Sequence, residues 1–410
     1  QERMVFAVQP KNKNKILALF KKENVEATFI GKFTNNKKLL LTYNGKTVAD
    51  MGMDFLHDGV PKPTRPAVWK ENKIVKQKPL KTTSKTLSKD IKEVLGDINV
   101  CSREWIIRQY DHEVQGQTVV KPLQGNSVHN FGPSDASVIW PYTVVKNTKK
   151  AVVLSNGLNP EYGKIDTYKM TTSAIEEAVR NAVCVGADPE KLSVLDNFCW
   201  GNPNKPEILG SLVRSSQACY DMSKGFEIPF ISGKDSLYNE YTIDGKTYSI
   251  PPALLISAMG VIEDVNKTIT MNLKSAGSSI YLVGLTKNEL GGSIYSKIKG
   301  FKGIVPGVEI KTSKKLMKAM YNAISGGLVE ACHDCSEGGF ITAISEMAFA
   351  GELGVNINAD LIKTDDSKMT LSEKLFSESN TRFVVEVTCE NRKNFEKALK
   401  GFEFAEVGNV

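Results

Sequence analysis

The sequence predicts a mixed α/β protein with more than one hydrophobic core. Three observations carry that expectation. Apolar strand-like runs, among them Pro252 to Val261 and Ser279-Ile-Tyr-Leu-Val283, alternate with segments of helical period such as Ala174 to Val185. Two Gly- and Asn-rich polar segments expected to be loops, Leu195 to Pro203 and Ile231 to Glu240, each follow an apolar run and flank a helical segment. The 410 residues exceed one ordinary domain, so at least two cores are expected.

Taken in order, the chain opens on Gln1-Glu-Arg-Met-Val-Phe-Ala-Val8, which matches Asn380-Thr-Arg-Phe-Val-Val-Glu-Val387, and Phe29-Ile-Gly31 matches Glu406-Val-Gly408. The same module therefore stands at both ends, as in a fragment of a longer duplicated protein. In the first copy it continues through the alternating Leu39 to Tyr43, the turn Asn44-Gly45 and Thr47 to Ala49, a hairpin signature. Pro61-Lys-Pro-Thr-Arg-Pro66 marks the exit from this first part, residues 1–66. Residues 67–100 read as a linker, because Lys70 to Lys92 holds eight lysines among few apolar residues. One mixed α/β domain is expected over 101–265, and a second, truncated one over 266–410.

Composition narrows the function. The formal charge of +7 is concentrated in the lysine-rich segment, which reads as a solvated face rather than a nucleic-acid footprint. The longest apolar run, near Pro251 to Ile262, falls well short of the roughly 20 residues a membrane-spanning helix needs. Gln1-Glu-Arg lacks the basic-then-apolar pattern of a leader, and seven scattered cysteines point to a reducing, cytoplasmic setting. Cys332-His-Asp-Cys335 has metal-like spacing but no accompanying Cys or His pair, so a zinc site is not expected. Cys184 has no nucleophile-elbow glycines around it, and no glutaminase centre is expected.

The helix at Ala174 to Val185 has the sharpest local pattern. Ser173-Ala-Ile-Glu176 fits a capping box, and Gly186 with Asp188-Pro189 supplies the stop. Ile175, Ala178, Val179, Ala182 and Val183 form one apolar arc. Glu177 and Asn181, at i and i+4, stack two oxygen ligands on the opposite side, which suits a hard cation or a solvated surface. Gly233-Lys234-Asp235-Ser236 is not a Walker loop, since the upstream glycine is missing, and no Gly-x-Gly-x-x-Gly stands near it.

Seven pieces in order, Arg108-Gln-Tyr-Asp-His-Glu-Val-Gln-Gly116, Pro133-Ser-Asp-Ala-Ser137, Ala174 to Asn181, the Asp196 stretch, the Gly233 stretch, His333-Asp-Cys-Ser-Glu-Gly-Gly339 and Leu375-Phe-Ser-Glu-Ser379, resemble the second half of phosphoribosylformylglycinamidine synthases. The resemblance covers nearly the whole chain. It implies the aminoimidazole ribonucleotide synthetase-like fold: a half-barrel N-terminal domain and a C-terminal α/β sandwich, preceded by the end of an earlier repeat. It also implies ATP-dependent conversion of formylglycinamide ribonucleotide and glutamine-derived ammonia to formylglycinamidine ribonucleotide, through an iminophosphate.

By the same resemblance, Asp135, Glu177, Asn181 and Asp334 would bind Mg²⁺ beside an auxiliary ATP or ADP, and Ser336 would touch its phosphates. Ser336 could equally cap the helix starting near Gly339. Asp196, Asn197, Gly233 and Lys234 would help bind the reacting ATP, with Gln1 and Ser236 contacting substrate. Lys234 stands where relatives carry a metal-binding Asn; a protonated Lys cannot ligate Mg²⁺, so it would reach phosphate as a point charge and leave Asp235 for the metal. The resemblance also implies that His112 would be the pseudo-symmetric counterpart of the family's catalytic His, with a structural or auxiliary-site role rather than a catalytic one. Implied partners are the N-terminal half of the same protein, a glutaminase domain or subunit and a small bridging subunit. The alternatives are a non-catalytic nucleotide-binding scaffold and another ATP-using enzyme of the superfamily, such as selenophosphate synthetase.

Overall fold

The computed structural model describes residues 3–71 and 83–410, and the chain divides into two compact units at Thr64/Arg65. In the first unit the expected hairpin is present. Lys38–Tyr43 pairs antiparallel with Lys46–Gly52, and Asn44 (φ 48°) and Gly45 (φ 74°) take the two left-handed positions of a type I′ turn. The helix Lys13–Lys22 precedes it. Of the matching segments around it, residues 3–8 and 29–31 form no strand here.

The second unit contains two larger sheets. The first has six strands in the order Thr118–Val120, Ala136–Ile139, Ala151–Gly157, Ala253–Ile262, Leu192–Cys199 and Phe230–Ser236. Its neighbours are antiparallel except the last pair, whose parallel crossover is the helix Pro206–Phe226. Alternation sorts the faces. Val153, Val194, Leu254, Ile256 and Ala258 are buried in one core with the helix Thr167–Cys184, whereas Leu154, Met259 and Val261 on the other face stay exposed.

The second sheet is antiparallel throughout, in the order Ala331–Asp334, Phe383–Val387, Ser279–Val283, Phe404–Asn409 and Asn356–Ile357. Ser279–Val283 occupies the positions expected of it, and it is buried on both faces. Tyr281 and Val283 join the first core, while Ile280 and Leu282 join a second core with Phe340, Ile344 and Met347 of the helix Gly339–Gly351. This is the α/β layering expected of the C-terminal domain.

Three expectations need correction. The stretches around Asp196 and Gly233 are not loops, because Asp196 and Asn197 lie inside the strand Leu192–Cys199 and Gly233 to Ser236 close the strand Phe230–Ser236. The long helix starts at Thr167, six residues before the supposed cap. Asp166 caps it by accepting from the backbone N–H groups of Tyr168 and Lys169, and Ser173 and Glu176 are fully buried within its interior turns. Finally, the lysine-rich segment is not linker throughout. Residues 72–82 lie outside the described residues, but Ser84–Leu95 is a helix capped by Thr83 and Thr86. Its Leu87, Ile91 and Val94 pack on the second core, while Lys85, Lys89 and Lys92 face solvent.

Candidate functional site

The helix Thr167–Cys184 runs between the two sheets, so even its polar face is enclosed: Glu176, Glu177, Arg180 and Asn181 are all buried. Buried polar groups require partners. Glu177 and Asn181 face a pocket of about 240 Å³ that is also lined by Asp135, His333, Asp334, Ser336, Glu337 and Glu346. The structure thus places Asp135, Glu177, Asn181, Asp334 and Ser336 around one cavity.

Asp135 precedes the strand Ala136–Ile139. Its Oδ1 accepts from the backbone N–H of Asp334 at 2.8 Å and meets His333 Nδ1 at 2.9 Å. Its Oδ2 is buried with no partner. Asn181 repeats the arrangement, because its Nδ2 donates to the carbonyl of Asn156 at 2.9 Å and leaves Oδ1 buried and unpartnered. Glu177 Oε2 accepts from Asn159 Nδ2 at 2.6 Å and from the N–H of Leu158 at 3.2 Å. Asp135, His333 and Asp334 bring potential ligand atoms within 4.8 Å of one another, and Glu177 and Asn181 line the same pocket from the helix.

Arg180 is the buried cation of the cluster. Its Nη1 donates to Glu176 Oε2 at 2.6 Å, and its Nη2 reaches Ser336 Oγ at 2.8 Å and Asp334 Oδ2 at 3.4 Å. Ser336 Oγ in turn donates to Asp334 Oδ2. Ser336 is therefore not a helix cap; the helix Gly339–Gly351 starts from Gly338 without a side-chain cap.

Burial followed by like charge governs the carboxylates. It pushes Glu177 well above its ordinary value, with Glu337 and Asp334 adding to the effect. Glu337 is pushed up to about 8 by burial and Glu378. Asp135 is raised by burial, against the pull of His333. Sequence reasoning missed Glu176, Arg180, His333, Glu337 and Glu346. The i, i+4 pair Glu176 and Arg180 was the one local signal available.

The other expected residues lie elsewhere. The parallel register sets Asp196 beside Gly233, Asn197 beside Lys234, and Cys199 beside Ser236. Alternation then puts Asp196 and Gly233 on one face of the sheet and Asn197, Lys234 and Ser236 on the other. Lys234 Nζ donates to Ser236 Oγ on that second face. A side chain at position 233 would meet Asp196, since an added Cβ lies 2.4 Å from Asp196 Oδ1. Asp196 is raised by burial and by Asp235. The strand Phe230–Ser236 is a sheet edge and mostly exposed. His112 is outside the pocket, its Nδ1 3.2 Å from the Tyr110 carbonyl oxygen. Gln1 lies outside the described residues.

Two tandem domains, a half-sheet covered by helices and an α/β sandwich with an acidic cavity beneath the intervening helix, define the class. Residues 133–262 match the AIR synthase related protein N-terminal domain and residues 275–410 its C-terminal domain, and the chain belongs to this family. Within it, the whole chain aligns with phosphoribosylformylglycinamidine synthase subunit PurL of Methanocaldococcus jannaschii, at 33% identity over 417 residues and 54% of that protein's length. The PurL subunit of Thermococcus sibiricus is 35% identical over 412 residues, again covering 100% of this chain and 53% of the relative. The chain thus spans about half the length of the curated relatives it matches. Among solved structures, Thermotoga maritima PurL complexed with FGAR has the same fold: TM-score 0.60, 17% identity, 79% of this chain and 49% of that one. The T. maritima protein has also been solved complexed with ATP (TM-score 0.57) and as PurLQS (TM-score 0.51).

Proposed function

We propose that this chain forms part of a phosphoribosylformylglycinamidine synthase, and that its buried pocket is a Mg²⁺ and nucleotide site. The observation that carries the site is the pair of orphaned oxygens, Asp135 Oδ2 and Asn181 Oδ1, in a cavity that also offers Glu177 and Asp334. Each residue's other polar atom is anchored, so each presents one oxygen without a partner, and an all-oxygen set of this kind suits a hard divalent cation. When bound, such a cation would neutralise phosphate charge. Ser336 would place a hydroxyl at the phosphates, with Arg180 as a charged donor behind it.

The reaction itself belongs to the edge strand Phe230–Ser236 and its parallel neighbour Leu192–Cys199. The amide oxygen of formylglycinamide ribonucleotide is a poor leaving group until ATP phosphorylates it; ammonia then displaces phosphate. Lys234 supplies a point charge for a phosphoryl group, Ser236 and Gln1 contact substrate, and Asp196 and Asn197 bind the reacting ATP beside Gly233, where a larger residue would crowd Asp196. Ammonia comes from a glutaminase partner, with a small bridging subunit and the other half of the synthase completing a cytoplasmic complex. The PurLQS assembly of the T. maritima relative supports that reading. A scaffold role is favoured by one observation, the enclosure of the cation pocket within this chain's own elements.

Isothermal titration with Mg-ADP tests the pocket. Wild type is expected to bind, and Glu177→Ala and Asp334→Ala to lose binding. Undiminished affinity in both variants would place the nucleotide elsewhere, and a wild type that does not bind would refute the site.

A further inference from the structure

We propose that His333 is a positioning residue that selects which Asp135 oxygen faces the cation pocket; the inference rests on the cation reading above. His333 sits on the strand Ala331–Asp334 and is buried. Nδ1 lies 2.9 Å from Asp135 Oδ1, and Nε2 lies 3.1 Å from Oε2 of Glu346, on the helix Gly339–Gly351. Each ring nitrogen thus lies within hydrogen-bond distance of one carboxylate, Nδ1 on the pocket side and Nε2 on the side of the helix. With both nitrogens engaged, His333 acts as the partner of Asp135 rather than as a further ligand, although its atoms lie within 4.8 Å of those of Asp135 and Asp334.

Its effect is geometric. Asp135 Oδ1 is held by two donors, His333 Nδ1 and the N–H of Asp334, and this fixes the carboxylate plane with Oδ2 unpartnered. Glu346 fixes the ring in turn, giving the chain Glu346–His333–Asp135 from helix to strand to pocket. Outer-shell hydrogen bonds of this kind orient ligands and raise metal affinity. The backbone N–H of Asp334 alone would leave Asp135 free to turn about its side-chain torsions.

Two isosteric substitutions separate this role from packing. Asparagine carries an amide N–H near the place of the ring Nδ1, and glutamine carries one near Nε2. His333→Asn should keep the contact with Asp135, and His333→Gln only the contact with Glu346. The assay is Mn²⁺ binding followed by the electron paramagnetic resonance of the free ion, on the full chain, with melting temperatures recorded in parallel. His333→Gln is expected to lose about ten- to hundredfold in Mn²⁺ affinity and His333→Asn to stay within about threefold of wild type, at similar melting temperatures. Equal losses in the two variants, or none in either, overturn the positioning role while wild-type binding upholds the cation site. A wild type that takes up no Mn²⁺ overturns the site and this role with it. Should both variants fail to fold, Glu346→Leu, which removes only the outer anchor of the ring, is expected to weaken Mn²⁺ severalfold, and unchanged affinity there overturns the role.

Discussion

Replacing Arg180 by methionine tests whether the cluster is held together by one buried cation. The guanidinium contacts Glu176 Oε2 at 2.6 Å, Ser336 Oγ at 2.8 Å and Asp334 Oδ2 at 3.4 Å, and the side chains of Arg180 and Glu176 are 2% and 0% exposed. Asp334 keeps Ser336 when the arginine is lost, so the cost falls on Glu176, whose Oε1 already has no partner. Breaking a buried pair by removing one member costs about 3–5 kcal/mol, because the other charge is left desolvated and unpaired. That loss should appear as a lower urea midpoint at neutral pH. The deficit should also depend on pH. Burial raises Glu176 while Arg180 opposes it, so without the arginine its folded-state value rises further. A carboxyl raised in the folded state contributes stability that is present below its unfolded value and lost as pH climbs through the folded one. The deficit of the variant should therefore be smaller at pH 5 than at pH 8. The double variant Glu176→Leu, Arg180→Met should recover most of it, to within about 1–2 kcal/mol of wild type, since a buried pair exchanged for apolar groups is often neutral. A single-variant cost below about 1 kcal/mol, or one independent of pH, would refute the reasoning.

Two further perturbations probe the frame around the site. Gly157→Ala would place a Cβ 2.0 Å from the carbonyl oxygen of Ala174 and 2.9 Å from the N–H of Ala178, both backbone of the helix that carries Glu177 and Asn181. Overpacking there should cost about 1–3 kcal/mol in urea unfolding and weaken Mn²⁺ binding, whereas a wild-type midpoint would mean that the helix shifts freely. Glu337→Gln should flatten the dependence of stability on pH. With Glu337 raised to about 8 against an ordinary 4.5, the wild-type fold takes up a proton that the unfolded chain has released, so wild-type stability should fall from about pH 5 to pH 8 and the variant's should fall less. Melting curves at four pH values decide between parallel and converging slopes.

Period and turn chemistry made several elements legible in the sequence. Ser279–Val283 and the Asn44-Gly45 hairpin follow from patterns two to seven residues long, and the strand read at Pro252 to Val261 is found at Ala253–Ile262. The start of the long helix was misread because Ser173-Ala-Ile-Glu176 imitates a capping box. The competing cap, Asp166, lies seven residues upstream, and only tertiary burial shows that Ser173 and Glu176 face protein rather than solvent. The pocket was legible residue by residue through family resemblance, but its electrostatics were not. Arg180 meets Glu176 and Asp334, and His333 meets Asp135 and Glu346; two of those contacts span more than 150 residues of sequence. No local period encodes such pairs.

The matching segments at Gln1 to Gly31 and Asn380 to Gly408 separate what a sequence encodes by itself from what its surroundings must supply. Both copies form their helix, Lys13–Lys22 in the first and Arg392–Ala398 in the second. Only the second copy forms its strands. Phe383–Val387 lies between Ala331–Asp334 and Ser279–Val283, and Phe404–Asn409 lies on the far side of Ser279–Val283. A helix satisfies its backbone groups within its own turns, but a strand has to find them on a neighbour. Among the described residues of the first unit the one pairing is the Lys38–Tyr43 hairpin, so Met4 to Val8 and Phe29 to Gly31 have no ladder to join. Their apolar side chains are left in solvent, with Met4 80%, Val5 84% and Ile30 82% exposed. The same pattern is buried to the last residue in Phe383–Val387. Among the described residues the two matching segments thus differ in their strand partners, which the local pattern of a module does not encode.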